Sequence, residues 1–164
     1  MTADARVTTG AGVAWLGAEE MRAWRGFIDG SQRLMGVLNR ELQSAHDMSL
    51  AEYRILVMLS ESPDGSVRMS DLADGVLSSR SRLTHQIRRM ESEGMVERSQ
   101  CVEDGRGVLA VLTDEGRRRL AEAAPTHLSG VRKYLIDLLS NQEMKAVADV
   151  FDKVDAAIGD RAIG

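Results

Sequence analysis

The chain has 164 residues, 43% hydrophobic and 28% charged, which suits one soluble globular core and excludes a disordered chain. A net charge of −4 weighs against a nucleic-acid partner unless the positive charge is concentrated locally, because only groups near phosphate exchange counterions. The single cysteine, Cys101, excludes an intramolecular disulfide framework and fits a reducing cytoplasm. No apolar run approaches the roughly 20 residues that span a bilayer, so no membrane role is expected.

Residues 1–17 read as a flexible arm without the apolar core of a signal peptide, although Trp15 and Leu16 are bulky for one. They can pack on the chain's own core or reach a partner subunit. A long helix is predicted from Ala18 to His46. Its apolar positions Met21, Trp24, Ile28, Met35, Leu38 and Leu42 form a narrow three/four-spaced seam, the pattern of a helix that pairs with another. Gly26, Gly30 and Gly36 weaken this helix and suggest a bend or the close approach of another backbone.

Ser49-Leu50-Ala51-Glu52 is a capping box opening a second helix, which Pro63-Asp64-Gly65 ends. Val67 to Met69 has room for a very short strand. Ser70 is the expected cap of a third helix, in which Met69, Leu72, Ala73, Val76 and Leu77 share one face. Leu77-Ser78-Ser79 is a turn, and Ser78 or Ser79 caps a fourth helix running to about Glu93, with Gly94 as its stop. Leu83, Ile87 and Met90 make the inner edge of that helix. At about 100° per residue, Ser81, Arg82, His85, Arg88 and Arg89 point the other way.

Met95 to Val102 alternates as a strand, Glu103 to Gly107 is a turn, and Val108 to Leu112 is a second strand. Thr113 caps a fifth helix, which Pro125 should break or kink. Leu128, Val131, Leu135 and Leu138 then resume a three/four seam. Ser140 to Glu143 is a second capping box, and Met144, Val147, Phe151, Val154 and Ile158 continue the pattern in a last helix.

The charge count sharpens the centre of the chain. Ser78 to Arg89 holds four arginines (Arg80, Arg82, Arg88, Arg89) and no acid, whereas Ala51 to Leu77 holds two basic and five acidic residues. A helix, a turn, an arginine-faced helix and a hairpin together have the form of a winged helix-turn-helix. The seams at both ends of the chain predict a helical homodimer interface. The fold class expected is mainly α with a small β-hairpin wing, about six helices, the terminal ones forming a dimerisation region. In domains this gives an arm at 1–17, a first dimerisation helix at 18–48, a winged helix-turn-helix DNA-binding region at 49–113, C-terminal dimerisation helices at 114–159 and a tail at 160–164.

Two motifs in order carry a resemblance. Asp104, Arg106, Leu112, Thr113, Gly116 and Leu120 keep an Asp-x-Arg, five residues, Leu-Thr, two residues, Gly, three residues, Leu pattern. Upstream, Arg89 to Arg98 is similar to the run Leu-Glu-x-x-Gly-Leu-Val, with methionine for leucine at Met90 and Met95. The chain thereby resembles the MarR family, the multiple antibiotic resistance regulators, over nearly its whole length from Ala18 to Ile158. The resemblance implies a transcriptional regulator, not an enzyme: a winged helix-turn-helix homodimer on double-stranded operator DNA, with repression as the expected sign and no cofactor.

On that reading Arg82, His85 or Arg88 meets base edges and Ser79, Arg80 and Arg89 bind phosphate, with Ser81 and Thr84 on the same surface. The bland alternative is an ordinary solvated basic face. Arg106 at the hairpin tip would enter the minor groove or follow the backbone, and by resemblance Asp104 pairs with an arginine to set the wing; Arg98 can be that partner or a phosphate contact. The resemblance also implies control by a small molecule or an oxidant. Trp24, Phe27 and Tyr53 are the candidates to hold a small aromatic or phenolic ligand where the first and second helices meet the fifth, and they serve equally as core. Oxidation-sensing members carry their cysteine near the start of the first helix, so Cys101 reads as a structural strand residue. His46, His85 and His127 have no metal-type spacing, and Arg117-Arg118-Arg119 reads as a solvated face or a contact to flanking DNA. The rival reading is a winged-helix protein-interaction module that binds no DNA.

Overall fold

The structure, a computed structural model, describes residues 14–76, 79–100 and 107–159. Its elements in order are α1 (Ala18–His46), α2 (Leu50–Glu61), β1 (Ser66–Arg68), α3 (Met69–Gly75), α4 (Arg80–Ser92), β2 (Val96–Gln100), β3 (Val108–Leu112), α5 (Asp114–Tyr134), a 3-10 turn (Ile136–Leu138) and α6 (Asn141–Gly159). The fold is mainly helical with one small antiparallel sheet. Two compact units divide inside α1, Met1–Val37 and Leu38–Gly164.

In the first unit the Gly17 N–H donates to the Glu20 carboxylate at 2.7 Å at the start of α1. Trp15, Leu16, Trp24, Phe27 and Met35 are all exposed. Among the described residues, a Cβ built on Gly26 or Gly30 would meet nothing within 4 Å. Those glycines lower helix propensity without a packing return inside the described chain.

The core of the second unit joins Leu42 at the end of α1 to Ile55, Leu56 and Leu59 of α2, Leu72 of α3, and Leu83, Ile87 and Met90 of α4. Ser49 caps α2 with the reciprocal bonds of a capping box. Thr113 caps α5, accepting from the Gly116 N–H at 3.0 Å, and Ser140 and Glu143 close the second box ahead of α6.

The sheet has three strands in the order β1-β3-β2, with Val67 opposite Ala110 and Arg98 opposite Ala110 on the other side. The expected two-stranded hairpin is thus widened by β1. Ala110 and Leu112 of β3 point inward, as a central strand requires, while β2 is buried only at Val96 and leaves the body beyond it.

Three local expectations are corrected. Ser70 does not cap α3: the helix starts two residues earlier than such a cap requires, at Met69 with Arg68 in the cap position, and the Ser70 hydroxyl bonds its neighbour Asp71. Pro125 does not end α5, which runs through it from Asp114 to Tyr134. A proline removes one N–H, yet buried Ala123 and Gly130 hold the helix on either side of it. The helix stops instead at Leu135 (φ −139°, ψ −68°), so Leu135 and Leu138 leave the helical seam that Leu128 and Val131 begin.

Candidate nucleic-acid interface

The arginine-faced helix is α4. Ser79 stands in extended conformation as its cap, and its hydroxyl oxygen accepts from the Arg82 N–H at 3.3 Å. Leu83, Ile87 and Met90 are fully buried and anchor one edge to the core. Ser79, Arg80, Ser81, Arg82, His85, Arg88 and Arg89 are exposed, and Thr84 is half-buried, its hydroxyl donating to the Arg80 carbonyl at 2.8 Å. None of the candidates read from this helix is buried. The first turn of α4 carries no acid. Arginines there oppose the helix dipole, which favours anions at that end. The unpaired N–H groups and the arginines instead present positive charge together, an arrangement suited to phosphate.

The arginines fall into two groups. Among the described residues Arg80, Arg82 and Arg88 carry no ion pair, whereas Arg89 lies 2.9 Å from Glu93 and 3.5 Å from Glu52. The Glu93 hydrogen bond, reinforced by the Glu52 charge, holds the Arg89 guanidinium above its usual pKa. Arg98 at the wing base pairs with Glu91 at 2.8 Å and holds that carboxyl below its usual range. Asp104 and Arg106, like Cys101, lie outside the described residues.

Sequence reasoning passed over Arg68 and Ser70. With Arg80, Thr84, Gly107 and Val108 they line an open cleft of about 310 Å³ between the start of α3, the start of α4 and the hairpin. The register that sets Arg68 opposite Leu109 brings it there. The only sequence signal was the short strand around Val67, which says nothing of its partner.

The remaining candidates sit elsewhere. Trp24 and Phe27 pair with each other on α1, ring centroids 6.1 Å apart. Tyr53 is buried in the second unit against the His127 ring, 4.4 Å away; burial raises the Tyr53 hydroxyl pKa and lowers that of the His127 imidazole. A second cleft of about 380 Å³ is polar, lined by Gln43, His46, Asp47, Arg118, Arg119 and Glu122. Neither cleft is lined by the three aromatics. The arginine run is largely engaged: Arg118 bonds Glu115 and Glu122, and Arg119 donates to the His46 carbonyl at 3.3 Å. Among the described residues no cluster of side chains could hold a metal ion, and no helix is long and apolar enough to cross a membrane.

The sequence profile of the MarR family matches residues 48–108, the stretch from α2 to the start of β3. An uncharacterised HTH-type transcriptional regulator of Bacillus subtilis, YfiV, is 34% identical over 104 residues, 62% of this chain and 61% of that protein. Among solved structures, AbsC, a MarR family transcriptional regulator from Streptomyces coelicolor, is 37% identical with a TM-score of 0.84 over 89% of this chain and 98% of its own. Sco3205, a MarR family regulator of the same organism solved in complex with DNA, is 38% identical with a TM-score of 0.84 over 88% and 94%. With the winged helix-turn-helix, the arginine-faced α4 and whole-length likeness to these regulators, the chain belongs to the MarR family of transcriptional regulators.

Proposed function

We propose that this protein represses transcription by binding a near-palindromic operator as a homodimer, with α4 of each copy in the major groove and the hairpin on the minor groove or backbone. The observation that carries this reading is the outer face of α4, where Arg80, Arg82 and Arg88 are exposed and carry no ion pair among the described residues. Arg82, His85 and Arg88 have the reach for base edges; Arg80, Ser79 and the N–H groups of the first turn are suited to phosphate, and Arg68 and Ser70 extend that surface. Sco3205, similar over most of its length, was solved with DNA, which supports the same partner here.

The dimer is supported by α6. It has no buried residue, and Val147, Val154 and Ile158 are each 40% or more exposed on one seam. A single helix with an apolar seam facing water gains little from its own propensity, so a second copy covering it supplies the missing burial. Two copies of α4 would then sit about 34–36 Å apart, one turn of B-DNA. A small aromatic or phenolic ligand would release the operator by favouring a different spacing, which requires unequal affinity for the two states.

The test is binding to genomic fragments across a salt series. On this reading the logarithm of affinity falls linearly with the logarithm of salt, by about 0.9 for each phosphate neutralised. Affinity independent of salt would sink the DNA reading and favour a protein partner.

A further inference from the structure

We propose that Arg89 is a positioning residue, which sets the rotation of α4 through the buried carboxylate of Glu52 rather than binding phosphate. This rests on the DNA-binding role of α4. Glu52 is 2% exposed and sits in the first turn of α2. Its Oε2 accepts from the Ser49 N–H and hydroxyl, both at 2.8 Å, and its Oε1 faces Arg89 Nε at 3.5 Å. Arg89 Nε also donates to Glu93 Oε1 at 2.9 Å. The other oxygen of Glu93 lies 3.7 Å from Arg119 of α5, which donates to the His46 carbonyl at the end of α1. Charges alternate along this line, Glu52, Arg89, Glu93, Arg119, and tie α4 to α2, α5 and the last residue of α1.

The apolar edge of α4 fixes how deeply the helix sits, but contacts of that kind have no direction. The ion pair does: the Arg89 Nε–H stands between Glu93 Oε1 at 2.9 Å and Glu52 Oε1 at 3.5 Å, which ties one edge of the helix to one point of α2. A buried carboxylate also demands its partner, since one left alone in the interior is strongly unfavourable. Arg89 lies in the last turn of α4, about 13 Å along the axis from Arg80, so a tilt of about 5° there moves the first turn by about 1 Å. Arg82, two turns earlier, lies on the same edge and turns with it. The ion pairs at the far end of the helix therefore govern where the reading end meets the bases.

The experiment uses the full chain, one strongly bound genomic fragment and one random duplex, with affinities measured across salt. Glu52→Gln keeps the capping box, since glutamine also closes it, and removes only the charge facing Arg89. Glu52→Gln and Arg89→Gln should each lower affinity for the bound fragment on the order of tenfold while random-duplex affinity and the salt slope stay at wild-type values. Arg89→Lys, which keeps the charge but not the Nε–H that both carboxylates face, should lose selectivity in the same way. The double variant Glu52→Gln/Arg89→Gln leaves no uncompensated charge and should melt close to wild type while staying unselective. If Arg89→Gln weakens both duplexes equally and reduces the slope by about 0.9 for each copy, Arg89 is a phosphate contact and the inference fails. It fails too if Glu52→Gln leaves selectivity intact. A wild-type chain without salt-dependent DNA binding would overturn the underlying functional reading, and is told apart because it precedes any variant.

Discussion

Gly116→Ala tests the joint between the wing and the C-terminal helix. Gly116 is buried in the first turn of α5, and a Cβ there would overlap the Met95 carbonyl oxygen and stand 2.7 Å from Leu112 Cδ1. The carbonyl cannot easily retreat. It accepts from the Thr113 N–H at 3.3 Å, and the Thr113 hydroxyl lies 2.9 Å from it and 2.7 Å from the Gly94 carbonyl. Overpacking costs about 1–3 kcal/mol, and the upper end applies because the obstacle is backbone. Alanine returns up to about 1 kcal/mol of helix propensity, leaving a net loss of about 2 kcal/mol. For a chain of this size that lowers Tm by about 4–8 °C. Calorimetry at fixed protomer concentration measures it, since association makes Tm concentration-dependent. DNA affinity should fall as well, because the start of α5 and the base of β2 must part. A Tm at or above wild type with unchanged affinity would refute the packing argument.

Three other outcomes follow from the structure. Gly94 has φ +73° with open space around it, so Gly94→Ala should cost about 1 kcal/mol by denaturant melting and Gly94→Asn less; equal losses would mean that space, not backbone conformation, selects glycine. Val147→Lys with Phe151→Lys should dissociate the dimer in sedimentation, and a product still dimeric would contradict the α6 seam. His127 is neutral-favouring in the folded chain because burial lowers its pKa, and its Nδ1 has no hydrogen-bond partner among the described residues. The unfolded chain therefore binds a proton first, so this contribution to stability is complete above about pH 6.5 and is lost as pH falls toward the lower folded value. His127→Phe should flatten the stability profile below about pH 6.5, and an unchanged slope would remove His127 from the acid response.

Local chemistry alone determined much of this chain. The capping serines and threonine, the apolar edge at Leu83, Ile87 and Met90, and the stop at Gly94 specify helices through bonds that close within four residues, so their bounds could be read directly. The arginine bias of α4 was legible for the same reason: one helix face is a matter of spacing. What joins distant segments was not. Nothing around Val67 names β3 as its partner, because strand pairing is a choice among remote edges. Pro125 read as a break or a kink, and α5 runs through it unbroken, with Ala123 and Gly130 buried on either side. Which arginines of α4 and of the wing base the protein itself holds could not be read, since charge in a sequence has no address. Only the tertiary structure set Glu52 beside Arg89 and Glu91 beside Arg98, and so divided the guanidinium groups already held by the protein from those still facing outward.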